Sequence, residues 1–347
     1  MEISLARVFL KLGVLGFGGP AAHIAMMRTE VVERRGWLTE KEFLDLLGAT
    51  NLIPGPNSTE LAIFIGHKLG GWRGLLISGI CFILPAFLIV LCFAALYQQY
   101  GQLPNTAAIF NGMRPVVVSV VVLALWKLGR TTKKTGIALL ILSSVLIYLG
   151  VHELLVIFLS GLFMGLFKKS LSQKNSLSLE LFLFFLKVGS VLFGSGYVLL
   201  GFLQKELVEN HKYLTSTQLL DAITVGQVTP GPVFTTATFI GYIINGFEGS
   251  LLSTIGIFLP SFIFVALVFP FITRLRNSEF FSHFLDGVNS ASLGLLLVVV
   301  IRLALESFTG PLTLTIAVIA FGILYRFQSI NSAYLIISGG ALGYFFL

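Results

Sequence analysis

Two short stretches hold residues whose types and order could handle an anion. The first is Phe17-Gly18-Gly19-Pro20, with His23 three residues on. Glycines free the backbone to leave a helix, and Pro20 suits the first turn of the next one. The second is Pro54-Gly55-Pro56-Asn57-Ser58-Thr59-Glu60. Its prolines forbid a continuous helix, and polar side chains crowd the start of a new one. The first N–H groups of a helix lack internal acceptors and sit at its positive end, so such breaks are suited to anions. His23 could hydrogen-bond an oxyanion or relay a proton; plain packing is the alternative. Glu60 suits a proton carrier, and a glutamate offsetting the helix dipole is the plainer reading.

Both stretches occur twice. An offset of 176 maps Phe9-Leu10-Lys11-Leu12-Gly13 onto Phe185-Leu186-Lys187-Val188-Gly189, Gly18 onto Gly194, and Pro54-Gly55-Pro56 onto Pro230-Gly231-Pro232. After one deletion the offset is 175, which maps Phe64-Ile65-Gly66 onto Phe239-Ile240-Gly241 and Leu84-Pro85 onto Leu259-Pro260. The chain is therefore one unit written twice, with domains 1–170 and 177–347. The second copy offers Gly194-Ser195-Gly196 and Pro230-Gly231-Pro232 followed by Thr235-Thr236 as its counterparts of the two breaks. Lys11 and Lys187 stand at matching points of otherwise apolar segments. They either snorkel to the headgroups or supply positive field to a central site. Arg28, Arg114, Lys127 and Arg302 read as interfacial, although Arg114 beside Pro115 lies in a long apolar run.

The elements that must position these residues follow from composition. Of 347 residues, 56% are hydrophobic and only 11% charged, with mean hydropathy +0.92. A soluble protein carries about 25% charged residues, so this chain cannot cover a water-facing surface. Near-continuous apolar runs, rather than alternating strands, make it an all-α integral membrane protein. The net charge of +7 sits in short loops, where it signals orientation and not nucleic-acid binding. Cys81 and Cys92 offer neither a disulfide nor a metal site, and no cofactor is implied. Each half has six hydrophobic segments, near 4–27, 43–66, 72–97, 107–127, 135–150 and 153–167, and again near 179–203, 219–244, 250–273, 284–305, 311–326 and 332–347. Segment two opens with a capping box in both halves, Thr39 to Glu42 and Thr215 to Gln218.

Loop charge supplies the topology. The basic loops at Arg28–Lys41, Lys68/Arg73, Lys127–Lys134, Lys168–Lys174 and Arg274/Arg276 read as cytoplasmic, whereas Lys205–Thr215 and Asn245–Ser253 read as external. The two halves are then inserted upside down relative to one another. Each has about five crossings and one re-entrant segment broken at Pro-Gly-Pro. Inverted repeats with broken helices are the architecture of secondary transporters.

The residues also carry a family resemblance. Phe9 to Gly13 followed by Phe17-Gly18-Gly19-Pro20-Ala21-Ala22-His23, then Glu30-Val31-Val32-Glu33-Arg34-Arg35 with Trp37-Leu38, then Pro54 to Ala62, resembles the signature of the chromate ion transporter family. The second half resembles that family's C-terminal domain. The resemblance implies a multi-pass protein of the cytoplasmic membrane that exports chromate, powered by the proton motive force, and confers resistance. It implies no enzyme activity. The expected site combines Lys11, Gly18, Gly19, Pro20, His23, Pro54, Gly55, Pro56, Asn57, Ser58 and Thr59 with Lys187, Gly194, Ser195, Gly196, Pro230, Gly231, Pro232, Thr235 and Thr236, and Glu60 as the proton-coupling residue. Sulfate or a related oxyanion is the alternative cargo. A membrane-embedded lipid-phosphate hydrolase is the alternative class, although only Glu60 and Ser58 answer to the acid–base and nucleophile cluster it would need. A homodimer is one compatible assembly.

Overall fold

Glycines and prolines set the ends of most helices in this chain. The computed structural model describes residues 2–17, 19–50, 53–101, 103–130, 177–191, 199–271, 307–327 and 330–346, with isolated positions within 141–145 and 297–305. Gly18, Gly194, Ser195, Gly196 and most of the segments expected at 135–150, 153–167 and 284–305 lie outside the described residues. All regular structure among the described residues is helical.

In the first half, α1 (Glu2–Leu15) stops before Gly16, and α2 (Gly19–Arg28) begins with Gly19 at φ +76°. A π-helical turn, Thr29–Arg34, leads toward α3 (Glu40–Thr50). The expected capping box is present: the Glu42 N–H donates to Thr39 Oγ1 at 3.2 Å and the Thr39 N–H to the Glu42 carboxylate at 3.0 Å. The long helix Asn57–Tyr100 is in fact two, because Gly70 and Gly71 leave helical geometry. Thus α4 (57–69) folds back on α5 (72–100). Gly66 and Gly74 let the two backbones touch, since a β-carbon on either would strike the other's carbonyl oxygen. Next comes α6 (Pro104–Arg130).

The second half repeats this plan. It comprises α7 (Leu177–Val191), α8 (Leu199–Leu203), a π-helical turn Gln204–Asn210, and α9 (Ser216–Val228), capped by Thr215 and Gln218. A 3-10 turn, Val233–Thr235, opens the helix Thr236–Val268, which breaks at Asn245 and Gly246 into α10 (236–244) and α11 (247–268). Gly241 and Gly249 reproduce the contact of Gly66 and Gly74. Two apolar helices, α12 (Pro311–Arg326) and α13 (Ser332–Phe346), close the chain and pack against α6.

The path of the first segment departs from expectation. It was to cross from one side to the other, and instead it turns round. Glu2 at the start of α1 lies 3.7 Å from Arg73, Leu5 reaches Gly70 and Gly74, and Gly13 packs on Phe82 and Pro85, so α1 climbs α5 about halfway. At its inner end α2 sets the His23 ring edge-on to Phe82, centroids 5.3 Å apart. At its outer end Arg28 Nε binds Glu40 at 2.8 Å, beside the start of α3. Gly16 and Gly19 permit the reversal. The second segment does the same: Glu42 near the start of α3 meets Lys68 near the end of α4 at 3.3 Å, with Pro54–Pro56 at the inner tip. Each half therefore contributes two hairpins that reach only partway along the long helices. In the second half the Tyr213 hydroxyl donates to Glu180 of α7 at 3.0 Å, so that hairpin also starts and ends at one level.

The matching capping boxes sit at opposite ends of α5. Glu42 and Lys68 lie by its Trp72 end, whereas Thr215 and Gln218 line a cavity with Tyr97 and Gly101. At 1.5 Å per residue, α5 is about 43 Å long, enough to cross a bilayer. Its surface agrees: Trp72, Leu76, Ile80, Leu84 and Leu88 form an exposed apolar stripe, while Leu75, Phe82, Ala86, Val90 and Ala94 are buried. Such a stripe is stable only against lipid or another apolar surface.

Close backbone approach gives a test of the hairpin. Gly74→Ala should lower the melting temperature of the purified protein markedly, because its β-carbon meets the Gly66 backbone. Gly48→Ala in α3, with nothing within 4 Å, should be neutral or stabilising by up to about 1 kcal/mol.

Candidate functional site

The hairpin tips meet. Gly231, in the second Pro-Gly-Pro and at φ +92°, donates its N–H to the carbonyl of Gly16 in the first break at 2.9 Å. The same carbonyl accepts from His23 Nε2 at 2.7 Å. A carbonyl only accepts, so Nε2 carries the proton, and in the neutral ring Nδ1 accepts from the Ser58 hydroxyl at 3.3 Å. His23 is thus a strut between α2 and α4, and both its nitrogens are engaged.

Each tip also rests on the long helix of the other half, at the residue after its proline. Gly55 lies against Ser261, which follows Pro260, and Gly231 lies against Ala86, which follows Pro85. The offset of 175 relates Ala86 to Ser261, so the two contacts are one contact made twice. Three helical elements begin here, at Gly19, Asn57 and Val233, and neither Asn57 nor Val233 is preceded by a side-chain cap. Their N-termini bring positive potential to one region from both halves.

Both halves leave unsatisfied groups near the junction, Gln227 Nε2 in the second and a cluster around Gly55 in the first. Glu60 is fully buried, and neither of its carboxylate oxygens has a hydrogen-bond partner. Thr59 Oγ1 and Ser261 Oγ are likewise buried and unpartnered, and Glu60 and Ser261 both press on the backbone of Gly55. Leaving a buried polar group unmet costs about 1–3 kcal/mol each. Each such group calls for an explanation beyond packing. On the other side the hydroxyls are satisfied locally: Thr235 donates to the Pro232 carbonyl at 2.7 Å and Thr236 to that of Val233 at 2.8 Å.

The structure brings together Gly19, Pro20, His23, Pro54 to Glu60, Pro230 to Pro232, Thr235 and Thr236 around this junction. It does not bring Lys11 or Lys187 there. Both are exposed. Lys11 Nζ binds Glu30 at 2.6 Å, and Lys187 lines a small pocket with Glu206, the repeat of Glu30. Sequence reasoning overlooked Ser261, whose signal was a hydroxyl at a repeat position filled by alanine in the other half. It also gave no partner for Arg114. The Arg114 side chain is only 15% exposed, and its Nε and Nη2 reach the buried Asp221 at 2.7 and 2.8 Å, with the Tyr97 hydroxyl on the same carboxylate at 2.6 Å. Nothing local signals a pairing across 107 residues.

Two related halves, broken helices meeting between them and a lipid-facing surface define a membrane protein built on transporter lines. The chain belongs to the chromate transporter family: the family's model matches residues 3–166 and again 179–344. It is 32% identical to a probable chromate transport protein of Synechococcus elongatus, over 91% of this chain and 88% of that one. It is 30% identical to a chromate transport protein of Cupriavidus metallidurans, over 97% and 91%. An uncharacterized transporter of Methanocaldococcus jannaschii is 32% identical over 99% and 94%. No solved structure matches.

Glu30 anchors the open end of the first hairpin and carries a pH prediction. Its side chain is 8% exposed and meets Lys11, Arg34 (3.0 Å) and Arg35 (3.5 Å). The Lys11 hydrogen bond, above all, holds its carboxyl below the ordinary glutamate value. A depressed value stabilises the fold at neutral pH, and that contribution is lost as pH falls through and below 4.5. Thermal melts from pH 7 downward should show a steeper loss in wild type than in Glu30→Gln, which starts lower and falls less.

Proposed function

We propose that this chain exports chromate, or a tetrahedral oxyanion of like size, from the cytoplasm across the inner membrane, driven by the proton motive force. The observation that carries the proposal is the junction of hairpin tips, where helix starts from both halves converge beside an unpartnered carboxylate. The names of its relatives in Synechococcus and Cupriavidus support the choice of cargo.

The halves are read as inverted and all four hairpins as re-entrant. Supporting this, the two capping boxes stand at opposite ends of α5, and the basic cluster of Arg28, Arg34, Arg35, Lys41, Lys68 and Arg73 gathers at the Trp72 end. That end is then cytoplasmic. Non-helical backbone at membrane depth survives only when lined by protein, as the tips here are.

An oxyanion at the tips accepts from the first N–H groups of α2 and α4 and from the unpartnered Thr59 hydroxyl. No lysine is needed in contact with it, since the helix ends supply the positive field. Glu60 opens the same helix, α4, so its negative charge and the oxyanion's compete for one dipole. Neutral Glu60 admits the anion and ionised Glu60 repels it, which makes loading sensitive to the proton. The membrane potential does the work of expulsion: moving two charges through 100 mV is worth about 4.6 kcal/mol.

Proteoliposome flux tests the reading. Wild type should move chromate faster under an imposed potential, negative on the cytoplasmic side, and sulfate flux measured alongside fixes the cargo. Glu60→Gln should keep transport but flatten its pH dependence, and Pro56→Leu, which removes the break, should reduce flux at least tenfold in folded protein. Unchanged flux in the proline variant would sink the site. For the topology, cysteine labelling should reach position 41 from the cytoplasm and position 212 from outside; the same face for both would refute inversion.

A further inference from the structure

At the Tyr97 end of α5 lies a cavity of about 340 Å³, away from the hairpin tips and walled by both halves. Water occupies about 30 Å³ per molecule, so the space takes a small hydrated anion with room to spare. Its polar wall is formed by Tyr97, Asn111, Arg114, Thr217, Gln218 and Asp221. Three donors in that wall converge on one carboxylate. Arg114 gives Asp221 two parallel hydrogen bonds, of 2.7 Å from Nε and 2.8 Å from Nη2, and Tyr97 adds its hydroxyl at 2.6 Å. The remaining guanidinium nitrogen is held by Asn111 Oδ1. A planar fork of this kind grips two oxygens of a carboxylate, phosphate or sulfate equally well.

The repeat does not reproduce the arrangement. Asp45 repeats Asp221, but the offset of 175 places Ile272 where Tyr97 would recur and Asn289 where Arg114 would. The duplicated fold therefore does not require such a clamp at both positions. Nor is the pair sealed in the core as a purely structural ion pair would be. It forms the edge of an open space, at the end of α5 opposite the basic cluster around Lys68 and Arg73.

We propose that Arg114 and Tyr97 form a second, external oxyanion site, and that Asp221 is its built-in occupant. The class of ligand is a tetrahedral dianion such as sulfate or chromate. Asp221 fills the cradle when no cargo is passing and keeps external oxyanion out. Departing cargo takes the donors from it in exchange. This rests on reading the chain as an oxyanion carrier, and it concerns residues that the tip site does not use.

Substitution of the occupant separates the roles. In nanodiscs, calorimetric titration with sodium sulfate should show Asp221→Asn binding at least tenfold more tightly than wild type, or with one added site. The double variant Asp221→Asn/Arg114→Gln should lose that gain. For Asp221→Ala, which leaves the guanidinium buried without a partner and lowers stability, millimolar sulfate should restore the melting temperature. Sodium chloride at equal ionic strength should not, and sulfate should leave Asp221→Ala/Arg114→Gln unmoved. If Asp221→Asn binds no more sulfate than wild type and sulfate fails to rescue Asp221→Ala, the pair is a clamp only and the proposal falls. If wild type itself neither binds nor moves any oxyanion, the transport reading falls, and gain of binding in Asp221→Asn still measures the cradle by itself.

Discussion

A single hydrogen bond, from the Gly231 N–H to the Gly16 carbonyl at 2.9 Å, joins the halves where neither is helical. Its importance follows from the solvent. Backbone groups released from a helix inside a bilayer have no water to turn to, and each unmet group costs several kcal/mol. In the re-entrant reading a broken helix is tolerable only where other parts of the protein, or a cavity they line, satisfy it. Gly16 is held by Gly231 and by His23, His23 by Ser58, and Gly231 rests on Ala86. Remove one break and the others lose their partners. This is why glycines and prolines recur together in both halves and why neither half could bury its tips alone.

Much of this was legible in the sequence, and the reason is that local chemistry wrote it. The capping boxes of Thr39 and Thr215, the stops at Pro54–Pro56 and Pro230–Pro232, and the duplication itself involve residues adjacent in the chain or related by a fixed offset. The turn of the first segment was not legible. A Gly-Gly-Pro between apolar runs reads the same whether the second run continues onward or comes back, because glycine permits either path and here Gly19 takes φ +76°. Apolar length misled in the same way: residues 4–27 are long enough to span as one rod, but folded in two they reach only as far as Pro85. The site was legible in part. His23, the Pro-Gly-Pro motif and Glu60 stand together as their spacing suggested. Lys11 does not, since its partner Glu30 belongs to the returning arm of a hairpin that the sequence left straight. Ser261, Arg114 and Asp221 were hidden because their contacts cross between halves.

The halves are alike in backbone and unlike in charge, and the difference is placed where it matters. At the tips the first half holds Glu60 and Thr59 without partners, whereas Thr235 and Thr236 of the second half bond to the turn that precedes them. Serine faces one tip and alanine the other. At the far end of α5, Arg114 has no charged counterpart. A protein that needed only to fold would have no reason to bury a carboxylate without a partner at a pseudosymmetric junction. It would lose stability there and gain nothing.

Pseudosymmetry and asymmetry together describe what a carrier must do. If the halves are inverted as proposed, exchanging their conformations gives two packings of nearly equal energy, one opening the junction to each face. Equal energies alone would only equilibrate a solute. Net direction comes from an electrochemical gradient, and in the mechanism proposed above the groups that respond to it are those in which the halves differ: the carboxylate beside the tips and the guanidinium at one end. In that reading the shared backbone supplies the motion, the gradient supplies the direction, and the few charges not spent on orientation couple the two.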